Sequence, residues 1–321
     1  MKGIDVVMKK WRTATIIGIF ILSLSLAGCG KQAITQKQSD APIVGIAPKI
    51  VAASFYNLAL KSDGTVVGWG GNDIEKINVP ADLKSVVAVA TGGFHNLALK
   101  SDGTVAAWGL NSAGQTKVLE DLKGVVAIAA GTEHSLALKS DGTVVAWGDN
   151  SADQTKVPED LKGIVAVSAG HGQSLALKSD GTVIAWGDNS NNKINVPADL
   201  KGIVAVSAGG EHNLALKSDG TVFAWGNNSA GQTNTPEGLK GVVAVAAGGL
   251  HNLALKSDGT VVAWGRNQSG QTNIPEGLKG VVAIAAGVEH SLALKSDGTV
   301  VTWGDSGAHQ TKVPEGLNLN P

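Results

Sequence analysis

The sequence predicts an all-β fold, a closed β-propeller of seven blades, and three observations support this prediction. The pair Trp-Gly recurs every 39 residues, and seven copies of that period make 273 of the 321 residues. Each copy contains three runs typical of β-strands. The first and last copies are intact, whereas an open array needs polar capping units at its ends. The repeated tryptophans are Trp69, Trp108, Trp147, Trp186, Trp225, Trp264 and Trp303.

Each repeat is predicted to contain three firm strands and a weak fourth. Strand a is a β-branched run ended by Gly, as in Val242 to Gly248, and strand b is His-(Ser/Asn)-Leu-Ala-Leu-Lys, with both Leu on one face. Ser-Asp-Gly then connects strand b to strand c, Thr-Val-Val-Ala-Trp-Gly. A three-residue loop ending in Gly fits a type I turn with a G1 bulge. The remainder, such as residues 154–163, is at best a short edge strand, since Pro158 has no N–H to donate.

Two repeated positions have both a structural and a functional interpretation. We expect each repeated Trp to pack between neighbouring blades, because a wedge is needed seven times and a ligand contact is not. The position that begins strand b is expected to hydrogen-bond the neighbouring backbone, with a metal site as the alternative. Its residues are Tyr56, His95, His134, Gln173, His212, His251 and His290.

The N-terminal residues predict export and lipidation. Residues 1–29 combine basic residues with an apolar run from Ala14 to Gly28, which is typical of a secretory signal. Leu26-Ala27-Gly28-Cys29 resembles a bacterial lipobox, in which Cys29 is lipidated, and Met8 would make a more typical start than Met1. An uncleaved membrane anchor is the alternative, although the run is short for a span. Residues 30–42 are polar and predict a flexible tether, so the propeller is expected over residues 43–321.

Charge and composition exclude several classes of function. The 26 basic and 27 acidic residues leave a net charge of −1, and only Arg12 and Arg266 are arginines, so nucleic-acid binding is not expected. The polar residues are mostly copied in every unit, whereas an enzyme site needs an asymmetric group, so we expect no catalytic residues, metal, cofactor or nucleotide. His171 and His309 lie off the repeated positions and have no evident partner in the sequence. We expect a monomer.

The copies differ mainly in the loop between strands a and b and in the loop after Trp-Gly. In an antiparallel meander these two loops emerge on one face, and the uniform Ser-Asp-Gly turns emerge on the other. Apolar residues in blades 1 and 2, with Ile74 as a further member, predict an apolar patch, and Asp188 and Asp305 add to an acidic remainder. The candidate partner-binding residues are Phe55, Tyr56, Phe94, Leu110, Glu133, Asp149, Asp153, Glu211, Leu250, Arg266 and Glu289. Neutral drift in exposed loops is the competing explanation.

The repeated words resemble a known family. Ala-Gly-x-x-His-(Ser/Asn)-Leu-Ala-Leu-Lys, then Trp-Gly-x-Asn-x-x-Gly-Gln-Thr and Val-Pro, are similar to the regulator of chromosome condensation type repeat over about residues 43 to 317. In particular, the repeat looks like the short bacterial version found in beta-lactamase inhibitor protein II. The resemblance implies a seven-bladed propeller used as a binding platform. The chain differs from that branch in its few aromatic residues besides Trp, four Phe and one Tyr.

The sequence therefore predicts a lipid-anchored binding module outside the cytoplasm that recognises a protein through its variable loops. Inhibition of a beta-lactamase or a related penicillin-interacting enzyme is one alternative. A polysaccharide-acting or lyase-type propeller enzyme and a structural surface-display protein are the others.

Overall fold

The computed structural model describes residues 49–71 and 75–320. The signal sequence, the lipidation of Cys29, the tether and Ile74 fall on residues outside this range. The described strands, with one short 3₁₀ helix at Ser190–Asn192, are β1 Lys49–Ala52, β2 Tyr56–Leu60, β3 Val66–Gly70, β4 Val86–Thr91, β5 His95–Lys100, β6 Val105–Gly109, β7 Val125–Ala130, β8 His134–Lys139, β9 Val144–Gly148, β10 Ile164–Ala169, β11 Gln173–Lys178, β12 Val183–Gly187, β13 Ile203–Ala208, β14 His212–Lys217, β15 Val222–Gly226, β16 Val242–Ala247, β17 His251–Lys256, β18 Val261–Gly265, β19 Val281–Ala286, β20 His290–Lys295 and β21 Val300–Gly304.

Successive groups of three strands form seven antiparallel sheets, β1-β2-β3 to β19-β20-β21, which we number as blades 1 to 7. Within each blade the strands are called a, b and c in chain order. Strand b lies in the middle of the sheet, and its residues up to the terminal Lys are buried. Among the described residues, no helix is long and apolar enough to span a membrane.

The Ser-Asp-Gly turn forms as predicted, as blade 3 illustrates. The Lys139 amide donates to the Thr143 carbonyl at 2.8 Å, and the Gly142 amide donates to Lys139 at 2.9 Å. Gly142 has φ of +80°, a left-handed conformation that glycine adopts at little cost. The Asp141 side chain accepts from the Thr143 amide at 2.9 Å, which completes the turn. Asp141 and Gly142 of the repeated word therefore both stabilise the turn.

The predicted weak fourth strand is absent from the described residues. In residues 154–163 the backbone forms short turns instead, in which Val157 donates to Thr155 and Leu161 donates to Pro158. Pro158 cannot continue a ladder, and the carbonyl of Gln154 accepts hydrogen bonds from the next blade instead of a fourth strand. The blades are therefore three-stranded.

The hydrophobic core lies between blades. The cluster between blades 3 and 4 contains Leu136 and Leu138 from strand b of blade 3, with Ala176 and Trp186 from blade 4. Equivalent clusters occur at the other interfaces, and each includes the Trp of the following blade. The repeated Trp side chains thus lie at the contacts between blades, as the wedge interpretation requires.

The ring closes by direct packing of blade 7 against blade 1. Strands a of neighbouring blades contact one another around the axis, and β1 contacts both β19 and β20. Trp69 of blade 1 packs with Leu292 and Val300 of blade 7, and the Val288 amide donates to the Ala53 carbonyl at 3.2 Å. No strand is exchanged between sheets in the described part of the chain. The predicted closed seven-bladed propeller is confirmed.

The C-terminal residues complete the seam. Leu319 is fully buried in the core between blades 7 and 1. Its carbonyl accepts from the Ser62 amide of blade 1 at 3.2 Å, and its amide donates to Gly298 of blade 7 at 3.0 Å. In blade 3 the amide equivalent to that of Ser62 donates to Gly124, directly before its own strand a. The C-terminal residues therefore supply at the seam a contact that the chain before strand a supplies elsewhere.

Candidate binding face

The two variable loops of each blade converge on one face, as the sequence predicts. In every blade, the residue after Trp-Gly donates its amide proton to the carbonyl that precedes the first residue of strand b. The distances lie between 2.8 and 2.9 Å. The pairs are Gly71 to Phe55, Leu110 to Phe94, Asp149 to Glu133, Asp188 to Gly172, Asn227 to Glu211, Arg266 to Leu250 and Asp305 to Glu289. We call this side the variable face and the other the Ser-Asp-Gly face.

A buried carbonyl at the end of each loop after Trp-Gly attaches that loop to the next blade. In blade 2 this is the carbonyl of Gln115, which accepts from Trp147 Nε1 and from Ser135 Oγ of blade 3, both at 2.9 Å. The same two bonds recur at all seven interfaces. The accepting residues are Lys76, Gln115, Gln154, Lys193, Gln232, Gln271 and Gln310. The Trp rings are thus hydrogen-bonded as well as packed, and the variable loops stand on a rigid base.

The five histidines that begin strand b also join neighbouring blades. The Nε2 atom of each forms a hydrogen bond with the Ser or Asn side chain of the next blade. In blade 3 the bond joins His134 Nε2 and Ser174 Oγ at 3.0 Å. The sequence predicts a backbone partner for these histidines, and the structure gives each Nε2 a side-chain partner in the next blade. Burial lowers the pKa of His134 to about 4 and that of His95 to about 3, below the ordinary value of 6.5. His212, His251 and His290 have the same contacts and values between about 3 and about 4.

Two blades replace the histidine and keep the connection. Tyr56 Oη of blade 1 donates to the His95 carbonyl at 3.1 Å, and Gln173 Nε2 donates to the Gly209 carbonyl at 3.0 Å. Tyr56 is fully buried. Its assignment to an exposed apolar patch was therefore wrong, because the start of strand b points into the interface between blades. Within the described residues, no three His, Cys, Asp or Glu side chains are placed to hold a metal ion.

The apolar part of the variable face spans the seam. Phe55 is 44 % exposed, and Val288, which sequence reasoning missed, is 41 % exposed. Phe94, Leu110 and Leu250 are partly exposed. Val288 belongs to blade 7, whose amide bond to Ala53 places it beside blade 1. The predicted patch on blades 1 and 2 therefore loses Tyr56 and extends through blade 7 to blade 6.

Lys76 lies beneath the aromatic part of this surface. Its side chain is fully buried, and its Nζ is 5.5 Å from the ring centroids of both Tyr56 and Phe94. An ammonium group at this distance is attracted to the face of an aromatic ring. The contact connects Tyr56 of blade 1 with Phe94 of blade 2, so Phe94 has a defined position on the face.

Charges on blades 4 and 5 form one connected group. Lys193 is only 1 % exposed, and its Nζ lies 2.8 Å from Asp188 Oδ2 and 3.1 Å from Glu211 Oε2. Burial acts to raise the pKa of Asp188, but hydrogen bonds from Lys193 and Ser190 outweigh it and lower the pKa to about 2. His171, which has no evident partner in the sequence, lies with Nδ1 3.1 Å from Glu211 Oε1. Glu211 is thus largely committed to contacts within the chain.

A second internal ion pair joins blades 6 and 7. Arg266 Nη2 lies 3.3 Å from Glu289 Oε1 and donates to Gln268 at 2.6 Å, while Ser269 Oγ donates to Glu289 Oε2 at 3.0 Å. Both charged side chains are about one third exposed. These two predicted binding residues can still contact a partner, but they neutralise each other on the free protein.

The acidic residues of blade 3 have no such compensation. Asp149 Oδ2 accepts from Ser151 Oγ at 2.8 Å and from Gln154 Nε2 at 2.6 Å, which are uncharged donors. Asp153 is exposed, with φ of +62°, and lies 4.0 Å from the exposed Lys156, a weak contact. Glu133 is partly exposed. Blade 3 therefore contributes unbalanced negative charge to the described part of the variable face.

The opening at the centre of the ring is lined by the last residues of strand a and the first of the following loop in every blade. Its cavity volume is about 110 Å³. Pockets for small ligands usually measure about 300–1,000 Å³. The chemically distinctive surface is therefore the ring of loops around the opening, where His171 lies at the rim.

Fold and face together define a propeller built from one repeat that carries an individual set of loops on one side. The pattern of the family described as "Regulator of chromosome condensation (RCC1) repeat" matches more than half of this chain. The matched residues are 86–115, 125–154, 164–193, 203–232, 242–271 and 281–310. The chain belongs to the RCC1 repeat family, which confirms the predicted resemblance. Comparison with curated protein sequences gives no match.

Solved structures show the same fold. Prp20p from Saccharomyces cerevisiae, described with its binding to Gsp1p and histones, is 22 % identical with a TM-score of 0.67, and the match covers 84 % of each chain. The ectodomain of the Physcomitrella patens receptor kinase CR4 is 20 % identical with a TM-score of 0.67, covering 79 % of this chain and 73 % of that one. Human WBSCR16 is 21 % identical with a TM-score of 0.63, covering 78 % and 87 %. Identities this low establish the fold and leave the ligands open.

Proposed function

We propose that this chain is a protein-binding module that recognises its partner through the variable face, and that a lipid on Cys29 holds it outside the cytoplasm on a bacterial membrane. The observation that carries the binding proposal is the exposed apolar surface of Val288, Phe55 and Phe94 across the seam of the ring. Exposed aromatic and aliphatic side chains on a rigid base are the usual centre of a protein interface.

The shape of the surface favours a protein over a small ligand. The apolar side chains extend over blades 6, 7, 1 and 2, with the central opening of about 110 Å³ beside them. A broad surface with separate apolar and acidic sectors offers many weak contacts to a large partner and encloses none of it. The binding of Prp20p to Gsp1p and histones is a precedent for a protein partner in this fold.

Two residues test the proposal directly. We expect Phe55→Glu and Phe94→Glu to abolish capture of a partner from the envelope of the producing organism, because each places a charge in the apolar sector. Leu119→Glu is the matched control, since Leu119 is 47 % exposed but lies in the segment leading to β7, whose Val125 bonds Gly103 of the Ser-Asp-Gly face. Capture is measured by quantitative pull-down with the full chain.

Unchanged capture by the Phe55 and Phe94 variants, with thermal unfolding as in the parent chain, would contradict the proposal. So would an equal loss with Leu119→Glu, because the effect would then not be specific to the variable face. The same preparations test the anchor: Cys29→Ser is expected to move the chain from the membrane to the soluble fraction without changing its partner.

Inhibition of a beta-lactamase is a narrower form of the same proposal. It rests on the resemblance to the bacterial branch of the family. Besides the repeated Trp, the aromatic side chains on the described part of the variable face are Phe55 and Phe94, a small number for a tight inhibitor. A beta-lactamase added to the pull-down tests this form separately.

A further inference from the structure

One glutamate of the variable face lacks the cation that its repeats have. Glu133, Glu211 and Glu289 occupy the same position in blades 3, 5 and 7, immediately before the histidine of strand b. Glu211 lies 3.1 Å from Lys193 Nζ, and Glu289 lies 3.3 Å from Arg266 Nη2. In both cases the cation comes from the preceding blade. The loop after Trp-Gly thus supplies a positive charge in two of three equivalent corners.

At Glu133 both sources of that charge are replaced by neutral residues. The residue equivalent to Lys193 is Gln115, and the residue equivalent to Arg266 is Leu110. Within the described residues the Glu133 carboxylate makes no ion pair and no side-chain hydrogen bond, although it is only partly exposed. The corner between blades 2 and 3 therefore holds a carboxylate in the setting of an ion pair whose second member is missing.

The amide of Gln115, which stands at the position of Lys193, gives Glu133 no positive charge. Gln154 and Gln310 donate through Nε2 to Asp149 and Asp305, the residues after Trp-Gly. Gln115 is fully buried, and its Nε2 has no acceptor in the described structure, because Leu110 stands where those acceptors would be. Gln271 beside Arg266 has the same unmet donor, but the carboxylate there is paired. Of these three corners in the described residues, the one between blades 2 and 3 is the one in which the glutamate has no cation.

The surroundings of Glu133 fit a long basic side chain. The Leu110 amide bonds the Phe94 carbonyl at 2.9 Å, and the Asp149 amide bonds the Glu133 carbonyl at 2.9 Å. An apolar pair thus adjoins an acidic pair across one blade interface. Lys and Arg pack their aliphatic stems on apolar surface while the charged end reaches a polar group.

We infer that the partner of the variable face inserts one Lys or Arg side chain here, its stem on Leu110 and its charged end on Glu133. The inference rests on the proposed function, since it specifies one contact of the same face. In this arrangement the partner's cation pairs with Glu133, as Lys193 pairs with Glu211 and Arg266 with Glu289 within the chain.

The corner can be probed without knowing the partner. We expect N-acetyl-arginine amide to shift the Leu110 methyl resonances of the full chain carrying Cys29→Ser in a saturable way, and N-acetyl-citrulline amide, its neutral analogue, to have a much weaker effect. Glu133→Gln is expected to weaken the arginine response about three- to fivefold, the range for one partly exposed ion pair. Glu159→Gln is the control, because Glu159 is an exposed glutamate in the segment leading to β10, and it leaves the response unchanged.

The variant Leu110→Arg gives a second test, in which the stability of the free protein is measured as well. This variant restores the arrangement of Arg266 with Glu289, so it is expected to raise the unfolding temperature and to suppress the response to N-acetyl-arginine amide, read at the Phe94 ring. Equal responses to both amides, or an arginine response that is not weakened by Glu133→Gln or not suppressed by Leu110→Arg, would overturn the inference. The pull-down with Phe55 and Phe94 variants stays informative in either case, because those residues do not contribute to this ion pair.

Discussion

At the scale of single residues, the interfaces between blades depend on a small residue opposite a large one. The Gly at the end of strand a is the small residue, and the histidine three positions later is the large one. At Gly209 an added Cβ would lie 2.6 Å from the Gly248 carbonyl oxygen of the next blade and 2.8 Å from His212 Cε1. Blade 1 has Ala53 at this position, and there the following large residue is Tyr56.

Gly209→Ala should therefore destabilise the propeller by about 1–3 kcal/mol, the usual cost of overpacking. The nearest atom belongs to backbone, which cannot rotate away. Gly307→Ala is the control, because its nearest contact is a side-chain atom, Asp305 Oδ1 at 3.4 Å, and we expect a change within about 0.5 kcal/mol. The free energy of unfolding measured in urea decides the matter, and equal values for both variants would contradict this account.

Single residues also mark what the sequence could predict. The position of the Trp between blades was predictable because it recurs in all seven repeats, and every repeat needs a packing residue there whereas a ligand contact is not needed seven times. The burial of Tyr56 was missed because the variable loop and the first residue of strand b adjoin in sequence but face different surroundings. The contacts of Lys193 and His171 with Glu211 required coordinates, since they join residues 18 and 40 positions apart in neighbouring blades. Val288 was missed because one exposed valine in a loop has no sequence signature.

At the scale of elements, the three strands of a blade were predictable and the seam was not. Alternation in strand b and the Ser-Asp-Gly turn specify a hairpin locally. Closure depends on residues 319 and 62, which are 257 positions apart, and on a C-terminal segment without a repeat. Leu319, in this segment, is buried between blades 7 and 1 and is part of the core.

Leu319→Ala is accordingly expected to cost about 2–5 kcal/mol, as for other fully buried leucines. Leu119→Ala, at a site that is 47 % exposed, should change stability by less than about 0.5 kcal/mol. Removal of residues 317–321 should have a larger effect than Leu319→Ala, because it also deprives the Ser62 amide of its acceptor. Urea unfolding monitored by Trp fluorescence measures all three, and a tail deletion as stable as the parent chain would refute the role of the tail.

At the scale of the whole molecule, five buried histidines make the propeller sensitive to acid. Burial lowers their pKa to between about 3 and about 4, while in the unfolded chain each has its ordinary value of 6.5. Between those values the unfolded state binds more protons than the folded state, so stability rises with pH and falls as the solution is acidified. The lowered pKa of Asp188, about 2, acts only at lower pH and does not alter this window.

Below pH 6.5, each of the five histidines is expected to lower the free energy of unfolding by about 1.4 kcal/mol for each pH unit. Between pH 7.5 and pH 5 the unfolding temperature should therefore fall by more than about 10 °C. Blade 4 shows how to reduce the effect, since Gln173 at the same position bonds Gly209 and Asn213 without a titrating group. Replacement of His134 by Gln should remove about one fifth of the pH dependence, because one of five equivalent histidines is lost. Scanning calorimetry across this range measures both quantities. An unfolding temperature that does not change with pH would contradict this prediction. It would mean that the histidines have the same pKa in the folded propeller as in the unfolded chain.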